Sequence, residues 1–229
     1  MSLKKVISFS LWGDKKIYQV GAIRNIKLAQ QFYPDFECWF YIHMETISID
    51  FINEIEKFDN VKIIMKSGNL SVIKPRMWRF ETIDHPDVCI NLSRDLDTEI
   101  LLREKLAVDE WINSNYDLHI MRDHPWHKYE IQAGMFGVKK TNITWKDKID
   151  NFVQTSDYIY DQEFLRHYIY PLYLNNSMIH ASFNKLEGSK CLDFPISFEL
   201  DDYKFVGEYV YEDESRNKQN QLELKRGYI

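Results

Sequence analysis

Residues 88–100 read V-C-I-N-L-S-R-D-L-D-T-E-I: an apolar run that reads as a buried strand, followed at once by Arg94, Asp95 and Asp97. Such a cluster at a strand tip is either a turn exposed to water or a holder of something polar. The elements on either side of it decide which.

Upstream, strands and helices alternate. Val6–Leu11 reads as a first strand, broken by Trp12-Gly13-Asp14. Residues 17–32 follow as a helix, with Ala22, Ile26, Ala29 and Tyr33 on one stripe and Pro34 ending it. Cys38–Ile42 and Val61–Met65 read as further strands around a helix over 48–58, and a short helix over 77–83 precedes Val88. This alternation predicts an α/β, Rossmann-like fold with a mostly parallel central sheet flanked by helices. Ligands collect at the carboxyl ends of such strands, where both Trp12-Gly13-Asp14 and Asp95-Leu96-Asp97 fall.

The second half is less regular. Residues 103–113 read as a helix with Ala107, Val108, Trp111 and Ile112 as its apolar face, and Leu118–Met121 as a short strand. An irregular loop over 122–140 follows, then a helix that begins near Asp161 and stops before Pro171. The expectation is one domain over 1–200 with a polar extension over 201–229, its last segment, residues 211–229, a solvated tail or a helix.

Composition narrows the function classes. With 29 basic and 35 acidic residues the net charge is -6, which argues against a general nucleic-acid binder. No apolar run is long enough to span a membrane, and the first residues lack a signal-peptide cleavage pattern. Cys38, Cys89 and Cys191 form no disulfide framework and no zinc spacing, so a reducing, cytoplasmic setting (host cytoplasm for a viral chain) is expected. Aromatic residues make up 15% of the chain, enough for some rings to line a cleft.

In an extended chain, residues two apart point the same way, so Asp95 and Asp97 can face one cation. Hard oxygen ligands suit Mn²⁺ or Mg²⁺, which can bridge two phosphates. A phosphatase of the haloacid-dehalogenase type, D-x-D-x-T, does not fit: Thr98 comes one residue early and the motif would belong on the first strand.

Seven blocks extend this reading in order: FSLWGD from Phe9, GAIRNIKLA from Gly21, SRDLDT from Ser93, REKLAVDEW from Arg103, HIMRDHPWH from His119, QAGMFGVKK from Gln132 and DQEFL from Asp161. Together, over about residues 5–182, they resemble the GT-A-type glycosyltransferases of large DNA viruses, algae and bacteria, including chlorella-virus rhamnosyltransferase-like domains. The resemblance implies a GT-A fold and assigns roles by position. Asp95 and Asp97 would hold the metal against the donor diphosphate. Ser10, Trp12 and Gly13 would border base and ribose. Arg76 or Arg79 would meet a phosphate, unless both are surface residues of a short helix. Arg94 would contact the donor or, pointing to the opposite face, brace the sheet through an ion pair. Gly134-Met135-Phe136-Gly137 resembles a sugar-binding loop that more often reads G-M-W-G; the alternative is a tight turn with a core Phe. Asp123, His124 and His127 would hydrogen-bond sugar hydroxyls or hold a proline-bent loop. His180 resembles a late metal ligand, against a buried structural histidine. Asp161 would be the general base or a helix N-cap.

The implied activity is metal-dependent transfer of a hexose from a nucleotide-diphosphate sugar, UDP-linked by resemblance, to the hydroxyl of a glycan or other acceptor, with inversion. A retaining course, a non-catalytic nucleotide- or carbohydrate-binding domain and a metal-dependent phosphohydrolase are the alternatives.

Overall fold

The computed structural model describes residues 3–72, 74–153 and 158–228. Its strands are β1 (Lys4–Leu11), β2 (Phe36–His43), β3 (Val61–Lys66), β4 (Val88–Arg94), β5 (Leu118–Arg122), β6 (Met135–Lys139), β7 (Ser177–Ala181) and β8 (Cys191–Leu192). They form one eight-stranded sheet in the order β3-β2-β1-β4-β6-β5-β7-β8. The fold is α/β with a central mixed sheet: β6 runs antiparallel to both β4 and β5, and the remaining neighbours are parallel.

The helices are α1 (Lys16–Phe32), α2 (Ile49–Ile55), α3 (Leu102–Ile112), α4 (Lys146–Asp150), α5 (Tyr160–Phe164), α6 (Tyr170–Tyr173) and α7 (Lys218–Tyr228). A π-helical turn over Leu165–Ile169 joins α5 to α6, and a 3₁₀ segment over Pro75–Asp84 leads into β4. The expected stripe of α1 is fully in place: Ala22, Ile26 and Ala29 are inaccessible and Tyr33 nearly so. This face joins alternate residues of the strands, Ile7, Phe9, Cys38 and Phe40, with Ala107, Val108 and Trp111 of α3, in one core. A second core gathers Phe80, Phe136, Trp145, Phe164 and Tyr173.

Two expectations are corrected here. The irregular loop over 122–140 contains β6, so Met135-Phe136-Gly137 is strand. Phe136 is inaccessible between Phe80 and Trp145, with ring centroids 5.6 and 5.9 Å away, so it is a core residue with no face free for a sugar. Nor is the C-terminal extension solvated throughout: its last segment takes the helical alternative as the largely exposed α7, while the stretch before it packs inward. Phe205, Val206, Val210 and Leu224 are buried, and Val206 N–H donates to Asp123 Oδ2 at 3.0 Å. The same contacts tie it to the preceding domain. Among the described residues, no helix is long and apolar enough to cross a membrane.

Candidate active site

From β1 the chain winds outward to β2 and β3, then returns to place β4 on the other side of β1. The connections therefore diverge between β1 and β4, leaving a crevice beyond their carboxyl ends. A cleft of ≈ 180 Å³ lies there, lined by Ser10, Trp12, Tyr18, Arg76, Arg79, Asp95, Leu96, Asp97 and Tyr158.

Asp95 is the first residue past β4, and Leu96 and Asp97 form a turn. The two carboxylates therefore converge through a turn rather than through the extended chain expected. Two glycines make room for it. A Cβ on Gly21 of α1 would collide with the Leu96 carbonyl, and one on Gly134 would collide with the Asp95 carboxylate. Gly134 thus backs an acid and does not approach a sugar.

Arg79 organises the floor. It is 4% exposed; Nη1 donates to Asp95 Oδ1 and to the Arg94 carbonyl (2.9 Å), and Nη2 donates to Asp161 Oδ2 (3.2 Å). Its main-chain N–H donates to Ser10 Oγ at 3.1 Å, which joins β1 to the 3₁₀ segment. Burial alone would lower the pKa of this guanidinium, but the Asp95 and Asp161 charges raise it above its ordinary value. Arg76 stands higher in the cleft, its guanidinium 4.8 Å from the Tyr158 ring centroid and 5.9 Å from that of Trp12.

Asp97 is the least satisfied acid. Burial, then the neighbouring Asp95 charge, pushes its carboxyl up to about 6. Among the described residues no cation forms an ion pair with it, and no third His, Cys, Asp or Glu joins the two acids. Two under-neutralised carboxylates facing one space fit a hard divalent cation. Mg²⁺ commonly binds through one or two carboxylates and completes its shell with substrate phosphates and water.

Several expected residues lie elsewhere. Arg94 is buried and donates to Glu104 Oε1 (2.8 Å) and the Phe136 carbonyl (2.8 Å); it braces the sheet and does not reach the donor side. His180 has both ring nitrogens engaged, with His119 Nε2 at 2.9 Å and Glu110 Oε2 at 3.0 Å. It also sits on β7, three strand spacings or about 14 Å from β4, too far to complete the aspartate pair. Asp123 accepts from Arg103, Ser182 and Val206 and is inaccessible. His127 accepts from Asp123 N–H at 3.0 Å, while His124 lies 3.0 Å from the Asn220 carbonyl and stacks on Phe205. These three hold the C-terminal segment and line no part of the cleft. Met135 is 4% exposed, its sulfur against Gly207.

The N-cap reading of Asp161 is corrected. Tyr160 opens the helix with Ile159 as its N-cap, so Asp161 is not the cap. Its carboxylate is nearly buried, with Oδ2 bound by Arg79 and Oδ1 by Gln162 N–H at 3.0 Å. It lies behind Arg79 and orients it. Gly13 follows the cleft residue Trp12 at φ +78° and donates its N–H to Thr46 Oγ1 at 2.9 Å, without lining the cleft itself. Tyr18 and Tyr158 were not anticipated. Tyr18 was legible: it stands four residues before Ala22, on the turn of α1 nearest the strand's carboxyl end.

No protein-family model and no curated protein matches the sequence. Among solved structures, the chain is similar to a glycosyltransferase involved in glycosylation of the major capsid of PBCV-1, at 16% identity and a TM-score of 0.47, covering 78% of this chain and 81% of that one. It is also similar to the 4-diphosphocytidyl-2C-methyl-D-erythritol synthase of Anaerococcus prevotii, at 14% identity and TM-score 0.43, covering 72% and 85%. The galactosyltransferase LgtC, in complex with donor and acceptor sugar analogs, matches at 15% identity and TM-score 0.44, covering 75% and 72%. At these values no residue role passes from those proteins to this chain.

Proposed function

We propose that the protein is a glycosyltransferase that binds a nucleotide-diphosphate sugar in the cleft beyond β1 and β4 and transfers the sugar to an acceptor hydroxyl. The observation that carries this reading is that Asp95 and Asp97 line one cleft with Arg76 and Arg79 and with the rings of Trp12, Tyr18 and Tyr158. A diphosphate needs cations and donors, a base or sugar needs flat apolar faces, and this cleft offers both.

In this reading Asp95 and Asp97 hold Mn²⁺ or Mg²⁺. When bound, the cation supplies Lewis-acid stabilisation of the charge that develops on the leaving diphosphate. Arg76 meets a phosphate from the cleft wall, held between two rings that restrict its swing. Arg79 is fixed by Asp95, Asp161 and the Arg94 carbonyl, so its positive charge is pre-positioned under the same phosphates. Asp161 anchors Arg79 through Oδ2 and, with one hydrogen bond on each oxygen, keeps lone pairs to accept the acceptor's proton as the general base that the sequence resemblance implies. Trp12, Gly13 and Ser10 border the nucleoside. A UDP-linked donor and a single displacement with inversion are carried by the sequence resemblance.

Thermal unfolding with UDP-, GDP- and dTDP-sugars, each with and without Mn²⁺, tests the reading. Ligand binding to the native state stabilises it, so a shift that needs both nucleotide and metal is expected, greatest for UDP. If Asp97→Ala kept the full metal-dependent shift, the metal site would be misplaced. Inorganic phosphate released without any acceptor would instead make the protein a phosphohydrolase.

A further inference from the structure

The turn that carries Asp95 and Asp97 is held from two sides. On one side stands α1, where Gly21 admits the Leu96 carbonyl and the buried Asn25 donates to the Thr98 carbonyl (2.8 Å) and accepts from Ile100 N–H (3.1 Å). On the other side lies a short hairpin from the C-terminal segment, beyond the stretch that the sequence resemblance covers. It is closed by an antiparallel bridge between Val210 and Arg216 and by Tyr211 N–H donating to Ser215 O at 3.0 Å.

We infer that this hairpin, residues 210–216, sets the geometry of the aspartate pair, with Arg216 and Val210 as positioning residues for the metal–diphosphate site. The inference rests on the function proposed above. Val210 is inaccessible, and its N–H donates to the Asp97 carbonyl at 2.8 Å, which fixes the main chain at the second acid itself. Two residues on, Arg216 Nη2 pairs with Glu99, while its Nη1 donates to Glu208 Oε2 at 2.7 Å. Lys204 adds a second cation 3.7 Å from Glu99. The hairpin is itself anchored to α1, where Arg24 Nη2 donates to the Tyr211 carbonyl at 2.8 Å.

The chemistry explains why such a clamp is useful. Two like charges in a turn push apart, and an unrestrained turn would relieve the repulsion by opening. Opening moves the carboxylates off the spacing that one cation needs, so the ordering cost would fall on metal binding. A turn held shut by α1 and the hairpin meets that cost during folding. Outer-shell partners of this kind commonly change metal affinity 10–100-fold without touching the metal.

The test uses the full chain with Arg216→Ala, Arg216→Lys and the milder Glu99→Gln, the last for the event that loss of Arg216 prevents folding. Two quantities are read: Mn²⁺ affinity in the presence of UDP, and amide hydrogen exchange across residues 95–98 in the metal-free protein. For Arg216→Ala, Mn²⁺ affinity in the presence of UDP should fall roughly tenfold, and exchange across 95–98 should quicken. Arg216→Lys should recover part of both, and Glu99→Gln should show the same changes in smaller degree. Wild-type exchange and wild-type Mn²⁺ affinity in folded Arg216→Ala or Glu99→Gln would overturn the inference. A wild type that shows no metal-dependent UDP binding sinks the proposed function instead, and the exchange measurement still decides whether the hairpin holds the turn.

Discussion

Asp95 and Asp123 occupy equivalent places: each is the first residue past a strand, β4 or β5, and each is paired with an arginine. An ionised carboxylate has about four lone-pair sites. Asp123 fills all of them, accepting from Arg103 Nε (2.8 Å) and Nη2 (3.0 Å), Ser182 Oγ (2.6 Å) and Val206 N–H (3.0 Å), and it is inaccessible. Among the described residues Asp95 accepts only from Arg79, and its side chain is 43% exposed. The two regions use the same residue types at the same topological position, yet only one has capacity left for a ligand. What separates a site from a polar core here is unused valence.

The sharpest way to break this comparison is to remove each acid. Asp123→Ala leaves Arg103 buried without its carboxylate, and urea unfolding should show a loss of about 3–5 kcal/mol. Asp95→Ala, at an open pair, should cost about 1 kcal/mol or less while abolishing the Mn²⁺-dependent response to nucleotide. Equal losses of stability would erase the distinction.

Acidification separates the regions next. Burial lowers the pKa of His119 well below its ordinary value, lowers that of His180, and takes His127 down to about 3. In the unfolded chain these rings take protons near pH 6.5. Below that value the unfolded state binds more protons than the folded one, so stability is present above about pH 6.5 and is lost as pH falls. Asp97 acts oppositely, since the folded state holds its proton up to about 6. The raised carboxyls of Asp123, Asp161 and Glu208 act in the same sense as Asp97, and the lowered His124 adds to the histidines. Between pH 7 and pH 5.5 the histidines should prevail, with a net loss of stability in urea unfolding. Unchanged or rising stability would mean that the buried rings accept protons in place.

Much of the first half was legible because its contacts are periodic: the stripe of α1 and the alternating strands follow from spacing alone. The placement of Asp95 and Asp97 followed from strand order, and the opposite-face reading of Arg94 followed from alternation. The second half resisted for physical reasons. β6 enters the sheet between β4 and β5 out of chain order, so Phe136 looked like a loop ring when it is a core one. The R-D-H-P-W-H stretch has the residue types of a site, but its valence is used up by Ser182, Val206 and Asn220, 59 to 96 residues further along. The C-terminal segment buries only scattered apolar residues, too few to show a period against its polar background.

The smallest effect tests the aspartate turn from within. At pH 7 Asp97 is ionised in the folded protein only at a cost, because burial and the Asp95 charge push its carboxyl up to about 6, whereas an unfolded aspartate ionises near 3.9. Asp97→Asn keeps the shape and deletes that cost. The metal-free variant should therefore be more stable than wild type, by about 1 kcal/mol or 2–4 °C in Tm. Its advantage should shrink as pH falls through about 6, where wild-type Asp97 takes up a proton in the folded state, and vanish only below about 3.9, where the unfolded chain is protonated as well. The same variant should lose the stabilisation that Mn²⁺ and nucleotide give together. A site kept for ligand binding holds unfavourable charge until the ligand arrives, so the two changes must come in opposite directions. A variant less stable than wild type without metal would mean that the Asp97 charge is already satisfied, and that the turn is a structural one like the loop around Asp123.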